Sequence, residues 1–195
     1  MFLEQKANRN QRRGWIEIIC GSMFSGKTEE LLRRIKRAQF ARQKIELFKP
    51  AIDNRYDKID VVSHDHSVMP STPVHNSSEI LLYINKDETE VVAIDEVQFF
   101  DEGITEVCTQ LANLGIRVIV AGLDMDYTGS PFRTMPKLMS VAEYVTKTHA
   151  ICVKCGDLAN FSHRLTQEDK LVVLGEAESY EPLCRNCYFN ILKKT

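Results

Sequence analysis

The run Gly21-Ser22-Met23-Phe24-Ser25-Gly26-Lys27-Thr28 has the form G-x-x-x-x-G-K-[ST] in full. Residues of these types at this spacing make a phosphate cradle. Gly21 and Gly26 permit backbone angles that a Cβ would block. Successive N–H groups then turn inward as an anion nest. A helix beginning near Lys27 would aim its positive end at the same anion. Lys27 adds a charge near the β- and γ-phosphates, and Thr28 offers a hydroxyl to Mg²⁺.

A second chemical run follows at Val91-Val92-Ala93-Ile94-Asp95-Glu96, an apolar strand that ends in two carboxylates. An acidic residue at such a strand end holds Mg²⁺ in P-loop proteins, which makes Asp95 the metal candidate beside Thr28. Glu96 is then free to orient a nucleophile and accept its proton. The apolar run is expected to lie centrally, beside the strand that feeds the cradle.

A third constellation is Cys152-x-x-Cys155 and Cys184-x-x-Cys187. Four thiolates in two knuckles suit tetrahedral Zn²⁺, and a set with no open position suits a structural role. The interval between the knuckles exceeds that of an ordinary zinc ribbon. Zinc is therefore expected to pin the base of a long excursion, residues 156–183. Cys20 and Cys108 stand in apolar surroundings and read as small core residues. With the ligand set filled by cysteines, His64, His66, His75, His149 and His163 read as surface or structural residues.

These sites need a frame to hold them. Residues 15–20 read as a buried strand and 29–43 as a helix with Leu31, Leu32, Ile35 and Ala38 on one face. Its other face, Arg33, Arg34, Lys36 and Arg37, reads as solvated. A second strand is expected at 45–48, stopped by Pro50, a third at 91–94 and a fourth at 118–121. A helix at 104–114 closes on Gly115. Strands spaced by helices imply a parallel sheet with both faces covered, an α/β fold. Residues 53–78 read as a long surface loop with a small hairpin at most. Three regions are expected: a flexible tail at 1–14, a P-loop α/β kinase domain at 15–150 and a zinc-binding domain at 151–195.

The chain has 195 residues, 44% of them hydrophobic and 27% charged, enough for one core domain and a small appendage. A formal net charge of −2 argues against a dedicated nucleic-acid binder. No apolar run approaches the roughly 20 residues of a membrane span. The tail carries Lys6, Arg9, Arg12 and Arg13 without an apolar core, so it is not read as a secretory signal, and the cytoplasm is the expected location. Paired cysteines there favour metal over disulfide. An ATPase acting on nucleic acid, another small-molecule kinase and a nucleotide sensor share parts of this pattern.

The order and spacing of GSMFSGKT at 21–28, DNRY at 53–56, DEVQFF at 95–100, GLDMDYTGSPF at 122–132 and the two cysteine knuckles resemble the type II thymidine kinase family. The stretch RLTQEDKLVVLGEAESYEPLCRNCY extends the resemblance, which covers the chain from Trp15 to Phe189. It implies a RecA-like sheet with a zinc-stapled lasso, and transfer of the γ-phosphate of ATP to the 5′-hydroxyl of thymidine, with deoxyuridine a possible second acceptor. It implies Glu96 as the base and nucleotide contacts at Asp95, Glu96, Val97 and Gln98. Nucleoside contacts carried over are Met23, Phe99, Leu123, Tyr127, Phe132, Ser162, Leu171, Val173, Gly175 and Tyr180. Tyr127 stands where Phe is common in the family, and Ser162 where Thr is common. Asp53 and Arg55 match loop residues on the phosphate and metal side. A homotetramer and feedback inhibition by thymidine triphosphate are further implications of the resemblance.

Overall fold

Strand β1 (Trp15–Gly21) runs into a turn and then helix α1 (Lys27–Phe40). The computed structural model describes residues 13–52, 60–62, 68–166 and 179–193. The expected tail lies almost entirely outside the described residues, as do Asp53, Arg55, His64, His66, Leu171, Val173 and Gly175. Strands β2 (Ile45–Pro50), β3 (Asp60–Val62), β4 (Val68–Pro70), β5 (Thr72–Val74) and β6 (Val91–Ile94) follow. Helix α2 (Ile104–Asn113), strand β7 (Arg117–Gly122), helix α3 (Met135–Val141) and strand β8 (Tyr144–Thr148) complete the main layer structure.

Six strands form one sheet in the order β5-β2-β6-β7-β1-β8, and every pairing in it is parallel. Alternate side chains of a strand point to opposite faces, so a strand covered on both sides carries apolar residues on both. In β1, Ile16, Ile18 and Cys20 face one layer and Ile19 faces the other. The first layer takes Ile104, Val107, Cys108 and Leu111 from α2 and Met135 and Leu138 from α3. The second takes Leu31, Leu32, Ile35 and Ala38 from α1 against Leu47, Ala93, Ile119 and Ala121. Each buried Val, Leu, Ile or Met among them contributes about 1.5–3 kcal/mol. Cys20 and Cys108 are core residues, as expected, and burial pushes their thiols up to about 11 and about 12, with Asp124 adding to the effect at Cys20.

Four expectations are corrected. First, β6 does not lie beside β1, because β7 pairs with both and separates them. Second, Arg34 is not solvated: it is 3% exposed and donates to Glu17 Oε2 at 2.8 Å, Glu30 Oε1 at 2.8 Å and Thr146 Oγ1 at 2.9 Å. Glu17 sits fully buried in β1, and Arg117 of β7 closes the group with Nε 2.7 Å from Glu17 Oε1. A buried carboxylate needs such partners, and it recruits them from α1 and β7. Third, the long loop expected at 53–78 includes β5, which joins the sheet edge in register Phe48↔Thr72, whereas the antiparallel pair β3–β4 matches the small hairpin expected there. An edge position tolerates Pro73. Fourth, β2 continues through Pro50 because its pairing with β6 ends at Phe48↔Ile94, so the proline breaks no central ladder.

After β8, two short antiparallel pairs carry the cysteines. Strand β9 (Ala150–Ile151) pairs with β10 (Leu158–Ala159), and β11 (Phe161–Arg164) pairs with β12 (Tyr180–Leu183). Helix α4 (Arg185–Leu192) ends the described chain. Ala150, Cys152, Ala159, Phe161, Leu183, Cys184 and Tyr188 form a third apolar cluster, with Phe24 and Met125 packed against it. Phe161 stacks on Tyr188 with ring centroids 4.5 Å apart. Among the described residues no helix is long and apolar enough to cross a membrane.

Candidate active site

The cradle turns on three left-handed backbone positions. Gly26, which caps α1, has φ 78, and Phe24, unusually for a residue with a side chain, has φ 63. Gly21 has φ 152, and a Cβ there would lie 2.3 Å from the Thr148 carbonyl oxygen. Side chains lock the loop from within. Ser25 Oγ donates to Ser22 O at 2.8 Å and is hydrogen-bonded to Thr148 Oγ1 at 2.9 Å. Lys27 Nζ donates to Ser22 O at 2.7 Å and so lies across the loop. Ser22 and Ser25 are buried, while Met23, Phe24, Gly26, Lys27 and Thr28 are half-buried.

The Asp95 carboxylate stands opposite, with Glu96 next in the chain. Thr28 Oγ1 donates to Asp95 Oδ2 at 3.2 Å, which brings the two expected Mg²⁺ ligands together. Burial and then the neighbouring Glu96 charge push the Asp95 carboxyl up to about 7. The donor set of one hydroxyl and one desolvated carboxylate fits a hard cation, whose charge would offset that burial. Glu96 is half-buried and left-handed at φ 49, ψ 41. Strain of this kind costs about 1–3 kcal/mol and collects at functional positions.

Val97 and Gln98 do not extend toward the cradle as side chains. Val97 is packed in the apolar layer under the sheet with Ile94 and Phe100. Gln98 is 0% exposed; its Nε2 donates to Glu96 Oε2, and its Oε1 accepts from the Leu123 N–H at 3.0 Å. Both belong to the expected nucleotide set, yet any contact from Val97 would have to come from its backbone.

The expected nucleoside residues fall into groups that touch. Met23 N donates to Ser162 Oγ at 3.0 Å, which ties the cradle to β11. Phe99 and Phe132 meet edge to face with centroids 6.4 Å apart. Leu123 N donates to the side chain of Gln98, the residue before Phe99, at 3.0 Å. Tyr127 and Tyr180 are bound together by Arg164: its guanidinium carbon lies 3.6 Å from the Tyr127 ring centroid, and its Nη2 donates to Tyr180 Oη at 2.9 Å. Tyr188 Oη donates to Tyr127 O at 2.8 Å from below.

Arg164, Tyr188 and Asp124 were not singled out by sequence reasoning. Asp124 is buried at the end of β7, with Oδ2 2.6 Å from Lys147 Nζ, while its Oδ1 has no hydrogen-bond partner among the described residues. A carboxylate closing an apolar strand was the available signal, as at Asp95. Arg164 gave none, since its partners lie on separate segments.

The sulfurs of Cys152, Cys155, Cys184 and Cys187 all lie within 4.8 Å of one another, with Cys155 and Cys184 3.6 Å apart. Tetrahedral zinc with Zn–S near 2.3 Å requires sulfurs about 3.8 Å apart, so the four could hold that ion. Cys187 N donates to Cys184 Sγ at 3.4 Å within the second knuckle. His149 and His163 lie outside this set: His149 Nδ1 bonds to Asn160 and His163 Nδ1 to Glu181.

A parallel sheet with a glycine-hinged cradle at the end of β1 and an acidic pair at the end of β6 defines a P-loop α/β protein. The family model described as thymidine kinase matches residues 14–188. A protein named thymidine kinase from Bacteroides thetaiotaomicron is 62% identical over 188 residues, 96% of this chain and 94% of that protein. One of the same name from Bacteroides fragilis is 60% identical over 194 residues, covering 100% of this chain and 96% of its own length. A third, from Rhodothermus sp., is 61% identical over 175 residues, 90% of this chain and 81% of that protein. The chain belongs to the thymidine kinase family.

Proposed function

We propose that this chain transfers the γ-phosphate of ATP to the 5′-hydroxyl of thymidine, giving thymidine 5′-phosphate in nucleotide salvage. The observation that carries the reading is the contact between Thr28 and Asp95, 3.2 Å across the mouth of the cradle, with Glu96 next in the chain. It supports a metal position and a proton acceptor side by side.

Phosphoryl transfer depends on positioning and charge neutralisation more than on covalent chemistry. The main-chain N–H groups of residues 21–28 orient the triphosphate, and Lys27 neutralises its β- and γ-oxygens. Mg²⁺, held by Thr28 and Asp95, supplies further charge neutralisation when bound. Glu96 accepts the proton of the 5′-hydroxyl, a step worth about 10²–10⁴-fold. Met23, Phe99, Leu123, Tyr127, Phe132, Ser162 and Tyr180 enclose the nucleoside. The family resemblance assigns Leu171, Val173 and Gly175, which lie outside the described residues, to the base-contacting lasso. Zn²⁺ on the four cysteines is structural and anchors that lasso.

The same reading takes residues 15–150 as the kinase domain and 151–195 as the lasso domain, in a cytoplasmic homotetramer inhibited by thymidine triphosphate. The test is a nucleoside panel with labelled ATP and purified protein. Thymidine is expected to be the preferred acceptor, with deoxyuridine weaker. DNA-stimulated ATP hydrolysis without a phosphorylated nucleoside would overturn the reading in favour of a nucleic-acid ATPase.

A further inference from the structure

Gln98 spends its whole amide inside the protein. Its side chain is fully buried, Nε2 donates to the Glu96 carboxylate and Oε1 accepts from the Leu123 N–H. The partners fix which end is which. A flipped amide would set its oxygen against a carboxylate and its NH₂ against an N–H, losing both bonds.

The surroundings leave little slack. The short 3-10 turn Val97–Phe99 is closed by Phe99 N donating to Glu96 O at 3.1 Å and Phe100 N to Val97 O at 3.1 Å. Val97, fully buried, anchors it in the core. On the opposite side, a Cβ at position 122 would lie 2.6 Å from Gln98 Oε1, so Gly122 is what lets β7 approach the amide. Gln98 therefore bridges the ends of two adjacent strands. One end carries the carboxylate that receives the proton; the other carries Leu123, a wall of the nucleoside site.

We infer that Gln98 is a positioning residue for phosphoryl transfer, holding the Glu96 carboxylate at a fixed distance from the β7 wall against which the nucleoside rests, rather than a nucleotide contact. The inference rests on Glu96 being the base. An immobilised carboxylate matters because a displacement of about 1 Å from the reacting geometry costs on the order of 10²-fold in rate. A left-handed residue such as Glu96 keeps its backbone only while its neighbours hold it. The amide supplies one such restraint directly at the reacting oxygens.

The experiment is a kinetic double-mutant cycle on the full chain with Gln98→Met, Glu96→Gln and the pair. Methionine has a similar length and no amide. Gln98→Met is expected to lower kcat on the order of 10²-fold and to leave KM and the directly titrated Kd for ATP near wild type. In the Glu96→Gln background the same change is expected to cost almost nothing further, because both act through one carboxylate. An ATP affinity that falls while kcat holds would make Gln98 a nucleotide contact and overturn the inference. Independent, multiplying losses would overturn it equally, as a general packing defect. Near-normal turnover in Glu96→Gln alone would remove the base assignment itself, an outcome distinct from the other two. If Gln98→Met fails to melt cooperatively, Gln98→Asn replaces it, since that amide is one methylene too short to span both partners.

Discussion

Thr28 Oγ1 lies 3.2 Å from Asp95 Oδ2, although the strands leading to these residues are not neighbours in the sheet. Strand β7 runs between them. Thr28 lies in the first turn of α1, which starts at Lys27, and Asp95 directly follows β6. The sheet order thus sets the cradle after β1 and the acidic pair after β6 on either side of the strand that leads to Leu123 and Asp124.

The charged group under α1 predicts a stability effect remote from the chemistry. Arg34→Met leaves Glu17 buried with one guanidinium fewer, and losing one partner of a buried pair costs about 3–5 kcal/mol. Thermal or urea unfolding should show a drop of that order. Replacing the exposed Arg33, which pairs with Glu30 at the surface, should cost no more than about 1 kcal/mol.

Arg164 predicts a change in nucleoside affinity without one in ATP affinity. Its guanidinium lies against Tyr127 and donates to Tyr180, so Arg164→Met releases two expected walls of the pocket together. A desolvated cation–π contact is worth about 2 kcal/mol. KM for thymidine should rise by roughly 10-fold or more while KM for ATP stays near wild type. Steady-state kinetics with each substrate varied in turn checks this.

The candidate site was legible where chemistry is local in the chain. The cradle is one continuous run, the acidic pair closes another, and the cysteine knuckles announce themselves by spacing. What was hidden depends on pairs brought together by the sheet. Arg34 reads as solvated on the helix alone, because Glu17 and Thr146, its partners beyond the helix, lie on β1 and β8. The amide of Gln98 finds Leu123 only once β6 and β7 are adjacent. Strand β5, three residues long with a central proline, has no period to detect. The position of β7 between β6 and β1 is a matter of crossover topology, which hydrophobic patterning does not encode.

The cysteine cluster predicts a metal dependence. Cys155→Ser removes one of four converging sulfurs, and zinc content by atomic emission should fall from about one per chain toward zero. The apolar cluster around Phe161 and Tyr188 should then loosen, giving a lower melting temperature and easier proteolysis of the C-terminal segment, as metal binding and local folding are coupled. Unchanged zinc content would exclude Cys155 as a ligand.

In the proposed reaction Glu96, the residue after Asp95, deprotonates the acceptor hydroxyl. Glu96→Gln keeps the size and polarity of the side chain and removes only its basicity. Phosphorylation of thymidine by this variant should fall about 10²–10⁴-fold, while ATP, measured by direct titration, still binds with wild-type affinity. Turnover close to wild type would contradict the account.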